Sequence, residues 1–113
     1  MSRLDEAEQK LKFADYLLQR ENNAALLDGA MKHILQAANK AAAELLALDD
    51  KSSVSPVLVG RKLAEGSEKE KEFSAYYLGL WKMTLKPGTP ADVTNAYKRV
   101  RAFVYYVREV RIR

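Results

Sequence analysis

Residues 24–48 read AALLDGAMKHILQAANKAAAELLAL, and the spacing of apolar residues in this stretch decides the fold. Leu27, Met31, Ile34, Ala38, Ala41, Leu45 and Leu48 follow one another at steps of four and three, which aligns them on one stripe of an α-helix. Leu26, Ala30, Leu35, Ala37 and Ala42 lie beside the stripe and widen it. A stripe that wide meets more than one neighbour, so this long second helix is expected to run through the centre of a bundle. Gly29 costs about 1 kcal/mol relative to alanine inside a helix, and close approach of a neighbouring helix is the expected reason for it.

The same periodicity continues in both directions. Upstream, Leu4, Ala7, Leu11, Ala14 and Leu18 mark a first helix over about residues 4–20, with Phe13 and Leu17 broadening its apolar face. Asn22 or Asn23 then suits the N-cap of the second helix. Downstream, residues 49–54 read as a loop, and Ser55-Pro56 is a cap followed by a proline in the first turn. That third helix is short, ending near Glu65, and Gly66 is expected to close it in the left-handed conformation. Ser67 and Glu70 have the spacing of a capping box and open a fourth helix to about Thr84. Its inward side is expected to carry Phe73, Tyr76, Tyr77, Leu80 and Trp81. Pro87-Gly88 makes a turn, and Thr89, Pro90 and Asp92 begin a fifth helix that continues to about Ile112. Val93, Ala96, Tyr97, Val100, Phe103, Val104, Val107 and Val110 should face inward from it. The expected architecture is therefore all-α, a single-domain bundle of four to five helices spanning residues 1–113.

Composition narrows the function classes. With 113 residues, 48% hydrophobic, the chain can bury a core of its own and is too apolar to be disordered. It has no cysteine, which removes disulfide frameworks, thiol nucleophiles and cysteine-based zinc sites. The first residues are charged, unlike a signal peptide, and the longest nearly apolar run, residues 41–48, falls short of the ~20 residues of a membrane span. A cytoplasmic protein without membrane contact and without a cofactor is the expectation. The single histidine, His33, has no acid placed to orient it as a catalytic base, and Ala30 stands where a bundle di-iron site needs glutamate. No motif for catalysis is present, and the protein is expected not to be an enzyme.

Two features could still bind or react. The positive charge is concentrated at one end: residues 1–81 carry eleven Lys/Arg against thirteen Asp/Glu, whereas residues 82–113 carry eight against two. On the fifth helix Lys98, Arg101, Tyr105 and Arg108 fall on one face opposite the apolar stripe, with Arg99 on the far flank. Arginines next to an exposed tyrosine suit nucleic acid, a nucleotide or an acidic partner, and a solvated outer face is the simpler alternative. His33 flanks the core position Ile34. The string His33-Ile34-Leu35-Gln36-Ala37 resembles the motif of histidine phosphotransfer domains at the histidine and Leu35. It departs at Gln36 and Ala37, where that family has the lysine that holds the phosphoryl group and the glycine that keeps the imidazole reachable.

The stretch Leu11-Lys12-Phe13-Ala14-Asp15-Tyr16-Leu17-Leu18, followed by the alanine-rich second helix, resembles the start of HEPN domains, small prokaryotic α-helical bundles. The resemblance covers about half the chain. It implies a cytosolic bundle that dimerises and either cuts RNA or binds a nucleotidyltransferase partner. The nuclease members carry an arginine four to six residues before a histidine. The nearest arginine upstream of His33 is Arg20, so the resemblance implies a non-catalytic member. A homodimeric interaction module is the leading expectation. Its motivation is the number of large aromatics, Tyr76, Tyr77, Trp81, Phe103, Tyr105 and Tyr106, that five helices would have to hide.

Overall fold

A computed structural model describes residues 3–20, 24–46, 56–86 and 88–112. It contains five helices: α1 (Arg3–Leu18), α2 (Ala24–Leu45), α3 (Pro56–Ala64), α4 (Glu68–Leu85) and α5 (Pro90–Ile112). The expected caps at Asn22 or Asn23 and at Ser55, the loop at 49–54, and Leu48 and Pro87 lie outside the described residues. Helix α2 is the centre of the bundle, packed against α1, α4 and α5. Helix α1 lies antiparallel to it, held at its start by Arg3 Nη1 donating to the Ala43 carbonyl at 3.0 Å and by Lys40 paired with Glu6 at 3.1 Å. Helix α5 closes over α1 and α2, and α3 leans on α4. The radius of gyration, 13.4 Å, is that of a single compact globule of this length.

The core follows the periodicity closely. Leu4, Ala7, Leu11 and Ala14 are buried from α1, and Met31, Ile34, Ala38 and Ala41 from α2. From α5, Val93, Ala96, Val100, Phe103, Val104 and Val107 join them. Two inward expectations fail at the rim: Phe13 is 57% exposed and Val110 is also exposed. Phe13 lies at the edge of the stripe that faces α2, and its ring stacks against His33 at the rim of that helix, 5.5 Å between centroids.

Caps and glycines explain the joints. Ser67 and Glu70 form the reciprocal box at the start of α4. Thr89 and Asp92 do the same for α5, the Thr89 N–H donating to Asp92 at 3.0 Å and the Asp92 N–H to Thr89 Oγ1 at 3.2 Å. Those bonds hold the Asp92 carboxyl below its ordinary pKa. Gly88, at φ +85°, supplies the left-handed residue of the turn before α5. Gly66 does not take the left-handed conformation expected of it. A side chain there would collide with Glu70, whose Cδ lies 2.8 Å from the position of a Cβ, so this glycine makes room for the cap to reach back.

Gly29 is also not explained by tight packing. A methyl group there would meet Leu17 Cδ1 at 3.4 Å, an ordinary contact. At Gly79, inside α4, nothing lies within 4 Å of an added Cβ. Gly79→Ala is therefore expected to stabilise the fold by about 1 kcal/mol through helix propensity alone. Thermal unfolding followed by circular dichroism should show a midpoint raised by about 4 °C.

Candidate functional site

Helix α5 turns two cationic sides outward, and they have different surroundings. The side read from the sequence carries Lys98, Arg101, Tyr105 and Arg108. Lys98 and Arg101 are exposed, and Tyr105, one turn beyond Arg101, is 56% exposed. The Arg101 guanidinium sits 5.5 Å from the centre of the Tyr97 ring. Arg108 is engaged within the molecule: its Nη2 bridges Asp5 at 3.1 Å and Glu8 at 3.0 Å, both on α1. Its pKa is raised, first by the hydrogen bond to Asp5 and then by the two carboxylate charges working against partial burial. Arg108 is thus the clasp between the two ends of the chain, and Lys98, Arg101 and Tyr105 are what remain of that side for an outside partner.

His33 lies half-buried beside the core, its ring stacked on Phe13 and its Nδ1 enclosed without a hydrogen-bond partner. Burial, then the charge of Lys10, lowers its pKa below the usual imidazole value, so the ring is neutral at pH 7. Among the described residues no group of three or more His, Cys, Asp and Glu side chains is placed to hold a metal ion. No helix of the described residues is long and apolar enough to cross a membrane.

The other side of α5 faces α4, and the sequence did not single it out. The backbones of these two helices stay apart, and aromatic rings span the gap. Phe73 of α4 and Phe103 of α5 lie face to face, 3.8 Å between centroids and 5° from parallel. Tyr106 packs beside Phe103, and Tyr76 edge-on to Phe73. Above this floor lies a cleft of about 290 Å³, lined also by Lys69, Glu72 and Arg99. The Arg99 guanidinium sits 4.7 Å over the Tyr76 ring, and Lys69 Nζ lies 5.6 Å over Tyr106. Burial raises the Tyr76 pKa against the opposing charge of Arg99.

Tyr106 also ties α5 to the start of α4. Its hydroxyl donates to Glu70 Oε2 at 2.6 Å, the oxygen to which Ser67 Oγ also donates at 2.6 Å. Burial opposes ionisation of Glu70, but these bonds and the Ser67 N–H together hold its pKa below the ordinary carboxylate value. A carboxylate shifted in this direction stabilises the fold fully above its unfolded value, and the contribution fades as pH falls through the folded one.

On the sequence, Arg99 read as a flank residue. The signal for the cleft was present only as i, i+3 and i, i+4 spacing: Phe73 and Tyr76 on α4, Arg99, Ala102 and Phe103 on α5. Which side of α5 meets α4 depends on tertiary packing. Comparison of the chain with protein-family models, with curated proteins and with solved structures returned no match.

Proposed function

We propose that the protein is a non-enzymatic helical interaction module that pairs with a second copy of itself through the outer edge of the α3–α4 hairpin. The observation that carries this reading is the exposed apolar strip of that hairpin: Val57, Leu78 and Leu85, the last 88% exposed. Ser74 Oγ donates to the Gly60 carbonyl at 2.6 Å, and these residues lie at equal distance from the turn at 67, which sets an antiparallel register. Val57 then lies level with Leu78, one turn from that bond, and Leu85 continues the Leu78 face two turns on. Helix α3 buries Val59 and Leu63 and has α4 as its main neighbour, so its remaining apolar side has little cover. Exposed apolar residues along one edge are costly in water, and a two-fold axis through the strip would bury both copies at once. The HEPN resemblance implies a dimer as well.

Of the aromatics that first suggested self-association, Tyr77 and Phe103 are buried, Tyr76, Trp81 and Tyr106 pack partly buried against the core, and Tyr105 is exposed. Sedimentation equilibrium at high micromolar concentration should give twice the chain mass of 12.8 kDa. Leu78→Glu and Leu85→Glu, both at exposed positions, should return it to a monomer with unchanged helical content by circular dichroism. A wild-type chain that stays monomeric removes the proposal.

A second reading is favoured by the exposure of Tyr105 on the same face as Lys98 and Arg101. These three residues suit a polyanion such as single-stranded nucleic acid, with the ring stacking on a base and the cations on phosphates. Affinity should then fall steeply with salt and weaken in Lys98→Ala/Arg101→Ala. Arg108→Ala should affect it little, since Asp5 and Glu8 already hold that guanidinium.

A further inference from the structure

We propose that the α4–α5 cleft is a binding site for a small planar aromatic anion, with the ring against the aromatic walls and the anionic group held by Arg99 and Lys69. The proposal is independent of the self-association above, which uses the opposite, α3-facing edge of α4.

Three observations converge on it. The first is shape. Phe73 and Phe103, stacked face to face on each other and buried to within 7% and 5% exposure, turn their ring edges to the floor of the cleft, and Tyr76 and Tyr106 line its sides. A cleft of about 290 Å³ admits a ring or fused ring pair carrying one short substituent, at the small end of ligand sites. The electropositive edges of the stacked pair favour the face of a second ring over an aliphatic chain, because edge-to-face contact adds to area burial.

The second is charge. Arg108 pairs with Asp5 and Glu8, Lys40 with Glu6, and Lys32 with Asp28. Lys69 and Arg99 instead lie over rings, and among the described residues neither forms a salt bridge. A guanidinium over a ring engages it through its face, and its N–H donors radiate in the guanidinium plane. The contact with Tyr76 thus pre-positions a fork that matches a carboxylate. Partial shielding by the aromatic walls strengthens that attraction relative to open water.

The third is the sign balance inside the cleft. Glu72 is the one carboxylate among its lining residues. Two cations against one acid leave a single positive charge to be matched. A monoanion matches it, and a second negative group would face Glu72. The chemistry selected is an aromatic monocarboxylate in preference to a nucleoside phosphate.

Isothermal titration with indole-3-acetate should detect 1:1 binding. Tryptophol, which has the ring without the charge, and acetate, which has the charge without the ring, should each bind at least tenfold more weakly. Arg99→Gln should weaken indole-3-acetate binding about tenfold or more, and Lys69→Gln should weaken it less. Glu72→Gln should tighten it. All three positions are at the surface of helices, and an unchanged urea midpoint confirms that each variant is folded. Adenosine 5′-monophosphate is the discriminating ligand: weaker binding than indole-3-acetate supports the monoanion, and tighter binding overturns it. Absence of binding by indole-3-acetate at millimolar concentration, or full retention of affinity in Arg99→Gln, overturns the site.

Discussion

Phe103→Ala is expected to lower the unfolding free energy by about 3–5 kcal/mol, the range for truncating a buried aromatic. Total stability of a domain is about 5–15 kcal/mol, so this one change would remove a large share of it. Phe103 is 5% exposed and lies flat on Phe73, with Tyr106 beside it. The backbones of α4 and α5 do not approach closely enough for the helices to collapse into the void without losing their packing on α2. The cost should therefore sit at the upper end of the range. Urea unfolding followed by the fluorescence of Trp81, the only tryptophan, measures it directly. Phe103→Leu should recover most of the loss by refilling volume without the stacking. A shift below about 1 kcal/mol for Phe103→Ala would mean that the rings do not join the two helices.

The opposite substitution is expected to be costly at the other interface. Ala37, Ala38, Ala41 and Ala42 are fully buried on α2, where α1, α4 and α5 converge. Their small side chains set how near those helices come, and a larger one has nowhere to go. Ala41→Leu is expected to destabilise by about 1–3 kcal/mol despite adding apolar surface, because overpacking forces backbone shifts or strained rotamers. Gln36→Leu, at an exposed position of the same helix, is the control and should stay within about 0.5 kcal/mol of the parent. Equal behaviour of the two variants in urea would show that the bundle centre has room to spare.

The architecture was largely legible because it rests on short-range rules. Steps of three and four residues marked α1, α2 and α5, Ser55-Pro56 and Gly66 bounded the short α3, and Ser67 with Glu70, and Thr89 with Asp92, marked where α4 and α5 start. What escaped depends on partners far along the chain. Arg108 read as an available cation, and nothing within a few residues of it reveals that Asp5 and Glu8 hold it across about a hundred positions. Tyr106 joins a capping box whose two local members were plain, but its own part requires α5 to lie against the start of α4. Gly66 looked like a left-handed terminator because that is the common use of glycine after a helix. Its actual use is to clear space for Glu70. Arg99 stood one position away from the face judged basic, and the 100° that one residue turns on a helix carried it to the other side. The cleft was missed for the same reason.

The clasp of Arg108 on Asp5 and Glu8 also governs how the molecule responds to load. Helix α1 begins where α5 ends, so tension applied between the termini acts at a single corner. It would peel the two helices apart turn by turn from that corner, where sliding them lengthwise would require many contacts to break together. This bundle should therefore yield gradually at low force, with the charged corner as its first point of opening.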